Sequence, residues 1–171
     1  MRNTGKLLLA LLIASIALAV HAADEITLTD FAGEPRTIES YAGDGRWLVV
    51  MIWEHDCHVC NQEAESYAQF HEAHRETDAH VLGVSLDGAA NRAGAEAFIE
   101  RHDLPFPNLI GEPQRVMLKY LMLTQSQFRG TPSILLYDPA GKLRAAQAGA
   151  VPTASIEAYI ARDSGKADTA G

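Results

Sequence analysis

Cys57 and Cys60 are the only two cysteines in the 171 residues, and His55 and His58 lie beside them in Trp53-Glu54-His55-Asp56-Cys57-His58-Val59-Cys60. Two thiols at i and i+3 on a first helical turn are neighbours, able to close a disulfide with little backbone movement. The unpaired amides of that turn and the positive end of the helix dipole stabilise a thiolate on the first thiol, Cys57. Asp56 reads as the N-cap. A protonated His58 would favour the thiolate further, whereas the Asp56 carboxylate opposes it by like-charge repulsion. Cys60 shares a helix side with Ala64, Tyr67 and His71 and is expected to be the more buried partner. Two other uses of the same residues compete. A static disulfide closing so short a loop constrains the unfolded chain weakly. A metal site built from His55, Cys57, His58 and Cys60 has suitable ligand types, but a lone CxxC is half of the usual structural zinc arrangement and no second pair follows. Thiol–disulfide exchange is the chemistry these residues suit best.

The elements around the pair must place it. Trp47 to Ile52 is an unbroken apolar run and reads as a fully buried parallel strand, while Asn61 to Glu76 has helical spacing, so the cysteines sit where a strand hands over to a helix of about Cys57 to Glu76. Before them, Ile26 to Ser40 alternates around Ala32-Gly33-Glu34-Pro35 and predicts an N-terminal β-hairpin. After them, His80 to Leu86 is a second buried strand ended by Asp87-Gly88, and Ala89 to His102 is a crossover helix with Ala93, Ala97 and Phe98 on one side. Leu104 to Pro107 cannot be helix interior and leads into an extended piece at Asn108 to Ile110. Pro113 opens a helix carrying Val116, Met117, Tyr120 and Leu121. Ser133 to Tyr137 and Lys142 to Gln147 form a hairpin, and Pro152 opens a last helix with Ile156, Tyr159 and Ile160. Residues 164–171 read as a polar, disordered tail, and His71, His74, His80 and His102 as surface or isolated histidines. Alternating strands and helices imply an α/β domain over residues 23–163, with a central mixed sheet flanked by helices.

Residues 1–22 read as a secretory signal peptide: Arg2 and Lys6 precede the apolar stretch Leu7 to Val20, and Val20-His21-Ala22 offers a small-x-small cleavage site. The apolar run is short for a full membrane span, although an uncleaved segment would anchor the domain to the membrane. Removal of residues 1–22 takes away two basic residues and no acidic one, moving the net charge from -8 to -10. So acidic a surface argues against nucleic acid as a partner. Export to the periplasm or a comparable compartment permits disulfides, and the domain is expected to act as a monomer.

Trp53-x-x-x-Cys57-x-x-Cys60 after a buried strand, with Gly130-Thr131-Pro132 far downstream, resembles thioredoxin-fold proteins, most closely the TlpA/ResA-like extracytoplasmic group. The segments "LGVSLDG", "LPFP" and "GTPSILLYDPAGKL" are similar to that group's insertion and second half. The resemblance implies a thioredoxin-like fold, Cys57 as attacking and Cys60 as resolving thiol, a cis Thr131–Pro132 bond facing them, and Trp53 packed beneath. It also implies proton handling by Glu63, protein thiol or disulfide substrates with a redox partner protein, and no cofactor beyond the disulfide. A reductant role in periplasmic disulfide or cytochrome c maturation pathways belongs to the same expectation.

The chain departs from that pattern. Asp56 stands where the group has a second tryptophan, Val59 replaces the proline between the cysteines, and Met51 stands where cytoplasmic thioredoxin has a buried aspartate. Two rival functions stay open. One is a copper- or metal-binding protein of the same fold, although copper-handling relatives space their cysteines one residue further apart. The other is a thiol peroxidase, although Trp53-Glu54-His55-Asp56 lacks the Pro-x-x-x-Thr-x-x-Cys setting of peroxiredoxins.

Overall fold

In the computed structural model, residues 26–168 are described, with side chains through 163, so the signal segment at 1–22 lies outside the described residues. The organising strand is β3 (Trp47–Trp53), buried at every position. It pairs in parallel with β4 (Ala79–Ser85) and antiparallel with β6 (Ser133–Tyr137). Outside β4 lie β5 (Asn108–Ile110), then β1 (Leu28–Asp30) and β2 (Pro35–Arg36); outside β6 lies β7 (Leu143–Ala148). The seven strands run in the order β2-β1-β5-β4-β3-β6-β7, a mixed sheet with the expected N-terminal hairpin at one edge.

Both faces of this sheet are covered, which is why β3 is continuously apolar rather than alternating. Successive side chains point to opposite faces. Trp47, Val49, Met51 and Trp53 meet α1 (His58–His74), α2 (Arg92–Arg101) and α4 (Thr153–Asp168) through Cys60, Ala64, Tyr67, Phe70, Ala95, Phe98, Ile156 and Ile160. Leu48, Val50 and Ile52 meet α3 (Pro113–Thr124) through Val116 and Tyr120. Among the described residues no helix is long and apolar enough to cross a membrane.

Four expectations need correction. On α2 the inward residues are Ala95 and Phe98, with Ala93 and Ala97 exposed, because the three-residue step from Ala95 to Phe98 carries the ring onto Trp53. On α3, Val116 and Tyr120 point inward while Met117 and Leu121 are exposed; apolar residues almost all round this helix leave its phase undetermined by sequence. Lys119 is buried there instead, 2.6 Å from Glu39 Oε1. His71 is core rather than surface, its Nδ1 accepting the Val81 N–H at 3.1 Å. The last helix also continues past 163, to Asp168.

Candidate active site

The C-terminal ends of β3 and β4, where the buried strands run out into loops, carry the site. After Trp53 the chain makes a tight turn in which Cys57 N–H donates to Glu54 O at 3.2 Å, and α1 begins at His58. Cys57 itself is the N-cap: its backbone is extended (φ -67°, ψ 111°), and its Sγ accepts the Cys60 N–H at 3.1 Å. This corrects the assignment of the cap to Asp56, which is exposed. The physical reason is one residue of register. A cap on Cys57 aims the free amide of the third helical residue, Cys60, at sulfur, the arrangement that stabilises a thiolate. Cys57 and Cys60 are joined as a disulfide, Cα–Cα 5.2 Å. Cys60 is fully buried beside Ala64, Tyr67 and His71, and Cys57 is half-buried, so access is to Cys57.

The loop before β6 closes the other side. The register Ile52↔Ser133 brings residues 130–132 to the end of β3, and Thr131 Oγ1 donates to Glu54 Oε2 at 3.1 Å. The Thr131–Pro132 peptide bond is cis. Beneath the turn, Trp53 is fully buried, stacks on Phe98 with ring centroids 4.3 Å apart, and donates its indole N–H to Asn108 Oδ1 at 3.2 Å. Glu63 is half-buried on α1, and its charge, after burial, helps to push the Tyr67 phenol above its ordinary pKa. His58 is exposed.

The structure also assembles residues that the sequence did not single out. Asp87, read as a strand-ending turn residue, is buried with its carboxylate under the active-site turn. Its Oδ1 lies 2.5 Å from His55 Nδ1, and its Oδ2 accepts the His55 backbone N–H at 3.1 Å and the Ser85 hydroxyl at 2.7 Å. The hydrogen bond to Asp87 raises the His55 pKa above its ordinary value, against partial desolvation. Asn61 fastens the turn from above, donating its amide to His55 O at 3.2 Å and Cys57 O at 2.9 Å. Asn61 Oδ1 is met in turn by Arg101 at 3.0 Å and His102 at 2.9 Å. Burial lowers the His102 pKa. No local pattern marks these partners, since they lie 40 or more residues from Asn61 and 32 from His55.

Of the alternative metal set His55, Cys57, His58 and Cys60, the first is turned onto Asp87 and the two sulfurs are bonded to each other. Among the described residues no group of three or more His, Cys, Asp or Glu side chains converges as a ligand set.

Several known proteins share this arrangement of elements. The thioredoxin domain of a thiol-disulfide oxidoreductase from Bacteroides vulgatus superposes with a TM-score of 0.63 at 21% identity, covering 78% of this chain and 91% of that one. A secreted Mycobacterium tuberculosis disulfide oxidoreductase homologous to Escherichia coli DsbE gives 0.59 at 21% identity, covering 80% and 94%. A peroxiredoxin from Aeropyrum pernix is 26% identical over 126 residues, which are 70% of this chain and 50% of the peroxiredoxin, so the chain spans about half that relative's length. The AhpC/TSA family matches residues 20–146. With its thioredoxin-like sheet and its cysteine pair at the head of α1, the chain belongs to the AhpC/TSA family.

Proposed function

We propose that the protein is an exported thiol–disulfide oxidoreductase that exchanges the Cys57–Cys60 dithiol and disulfide with protein substrates. The observation that carries this reading is the asymmetry of the pair, an accessible Cys57 capping a helix and bonded to a buried Cys60. In the reducing direction the Cys57 thiolate attacks a substrate disulfide, forming a mixed disulfide and releasing one substrate thiolate. Cys60, as thiolate, then attacks Cys57 Sγ and expels the second substrate thiol. Two electrons pass to the substrate and the Cys57–Cys60 bond is restored. The reverse sequence oxidises a dithiol.

The backbone of Thr131, beside the turn, is the proposed edge on which an extended substrate segment pairs. Glu63, close enough to affect Tyr67, is the proposed proton acceptor for the resolving thiol. Export rests on the sequence of residues 1–22 and agrees with the secreted mycobacterial protein of the same fold.

The test is exchange with a disulfide-bonded protein. Cys57→Ser should abolish it, and Cys60→Ser should trap a mixed disulfide; full activity in Cys57→Ser would overturn the assignment. A second reading, a thiol peroxidase, is favoured by the peroxiredoxin relative. Rapid peroxide consumption with a thiol donor, dependent on Cys57, would put it first.

A further inference from the structure

We propose that His55 is a charge-compensating positioning residue: its imidazole, anchored on the buried Asp87 carboxylate, cancels a negative charge beneath the turn that carries Cys57 and so lets Cys57 ionise. The inference rests on the exchange reading above and assigns a role that the cysteine pair alone does not require.

The geometry is a clamp. Asp87 exposes only 3% of its side chain, and a carboxylate so buried is stable only when paired and hydrogen-bonded. Its acceptors are filled by Ser85, by the His55 amide and by His55 Nδ1. The imidazole lies flat on α2, since a Cβ added at Gly94 would come within 2.6 Å of the ring. His55 is therefore held between Asp87 and α2.

The local charge balance explains the use of a histidine. The turn holds Glu54 and Asp56, and Asp87 adds a third carboxylate from the β4 loop. On α2, Arg92 and Glu96 flank Gly94 and pair with each other at 2.8 Å, so they add little net charge. Arg101 and His102 hydrogen-bond the neutral Asn61 Oδ1, so Arg101 keeps its positive charge and offsets part of this acidity from α2. A Cys57 thiolate would thus be a fourth anion, two residues from His55 and at most about 7 Å along the chain from it. Protonated His55 offsets one of the three opposing charges where partial burial weakens the screening by solvent.

The test follows alkylation of Cys57 in the reduced protein by iodoacetamide across about pH 5 to 9, with the modified peptide identified by mass. His55→Gln leaves the Asp87 charge uncompensated and should slow alkylation at about pH 6.5 by about three-fold or more. Adding Asp87→Asn in the same chain removes that charge and should return the rate to within about two-fold of the unmodified protein. Asp87→Asn alone, isosteric and able to keep the Ser85 and His55 amide bonds, should also stay within about two-fold, because the opposing carboxylate charge is removed together with its pull on the His55 proton. A purely structural clamp predicts the opposite order, with the double variant at least as impaired as His55→Gln. Equal rates for His55→Gln and the unmodified protein, a double variant as slow as His55→Gln, or an Asp87→Asn variant equally slow would each overturn the proposal. Iodoacetamide reads ionisation without a protein disulfide, so loss of exchange with an intact alkylation pattern would sink the exchange reading alone.

Discussion

Thr131 donates its hydroxyl to Glu54 Oε2 across 3.1 Å, joining two loops that lie 77 residues apart in sequence. The contact exists because β6 runs antiparallel to β3 and pairs Ser133 with Ile52, so both loops leave the sheet at the same end. It holds the cis-proline loop against the turn that delivers Cys57, and among the described residues it is the one side-chain hydrogen bond between the two loops.

Thr131→Val keeps the shape and removes the donor. The bond is charge-assisted and partly buried, worth on the order of 1 kcal/mol. The expected result is a several-fold loss in kcat/KM for a disulfide-bonded protein substrate with little change in Tm. Unchanged exchange kinetics would show that the two loops hold their positions without this bond.

Gly83 marks a second constraint. A Cβ there would sit 1.8 Å from Asn108 Oδ1 and 2.8 Å from Trp53 Nε1, directly on the hydrogen bond that seats the tryptophan beneath the turn. Both neighbours are buried, so neither can give way into solvent. Gly83→Ala should therefore cost about 1–3 kcal/mol in urea unfolding through overpacking, and break the indole bond. A smaller loss, with unaltered tryptophan fluorescence, would mean that the Asn108 amide can turn aside.

The fold was legible because its signals are local and periodic. β3 declared itself by the unbroken apolar run from Trp47 to Ile52, one residue short of the strand, and Pro113 and Pro152 marked helix starts within a residue of where they fall. Cys57 and Cys60 were legible by spacing. The residues that hold them were not, because Asp87 and Asn108 become polar partners only when β4 and β5 are laid beside β3. His71 misled for the same reason. On a helix rich in Glu, Gln and His it looks like surface, and only the β4 amide that it accepts shows it to be core. The inward phase of α3 failed where Val116, Met117, Leu118, Tyr120, Leu121 and Met122 wrap most of the helix in apolar side chains.

His71 predicts how stability falls with acid. Its Nδ1 must be unprotonated to accept the Val81 N–H, and burial lowers its pKa in the folded protein. The unfolded chain, with an ordinary histidine pKa of about 6.5, then binds more protons than the native state. The stabilising contribution is complete above about pH 6.5 and is lost as pH falls toward the folded pKa, by at most about 1.4 kcal/mol per pH unit. His80 and His102 shift in the same direction through burial and add to the slope. His55 opposes it, since its raised pKa contributes stability below about pH 6.5 that is lost as pH rises through the folded value. Urea unfolding between about pH 5 and 7.5 should show stability rising with pH, and His71→Gln should flatten that rise. An unchanged slope in His71→Gln would place the acid sensitivity at the other two histidines.

The cap on α1 separates the structural from the chemical role of Cys57. Its Sγ takes the Cys60 N–H, a bond that a hydroxyl can reproduce and a methyl cannot. Cys57→Ser and Cys57→Ala should both abolish exchange, because each lacks the nucleophile. Compared under reducing conditions, neither variant has a disulfide, so the remaining difference between them is the cap. Cys57→Ala should be less stable than Cys57→Ser by about 1 kcal/mol in urea unfolding. Equal stabilities would mean that solvent satisfies the Cys60 N–H in the first turn of α1 as well as a side-chain acceptor does, and that the sulfur contributes to the helix only when it is charged.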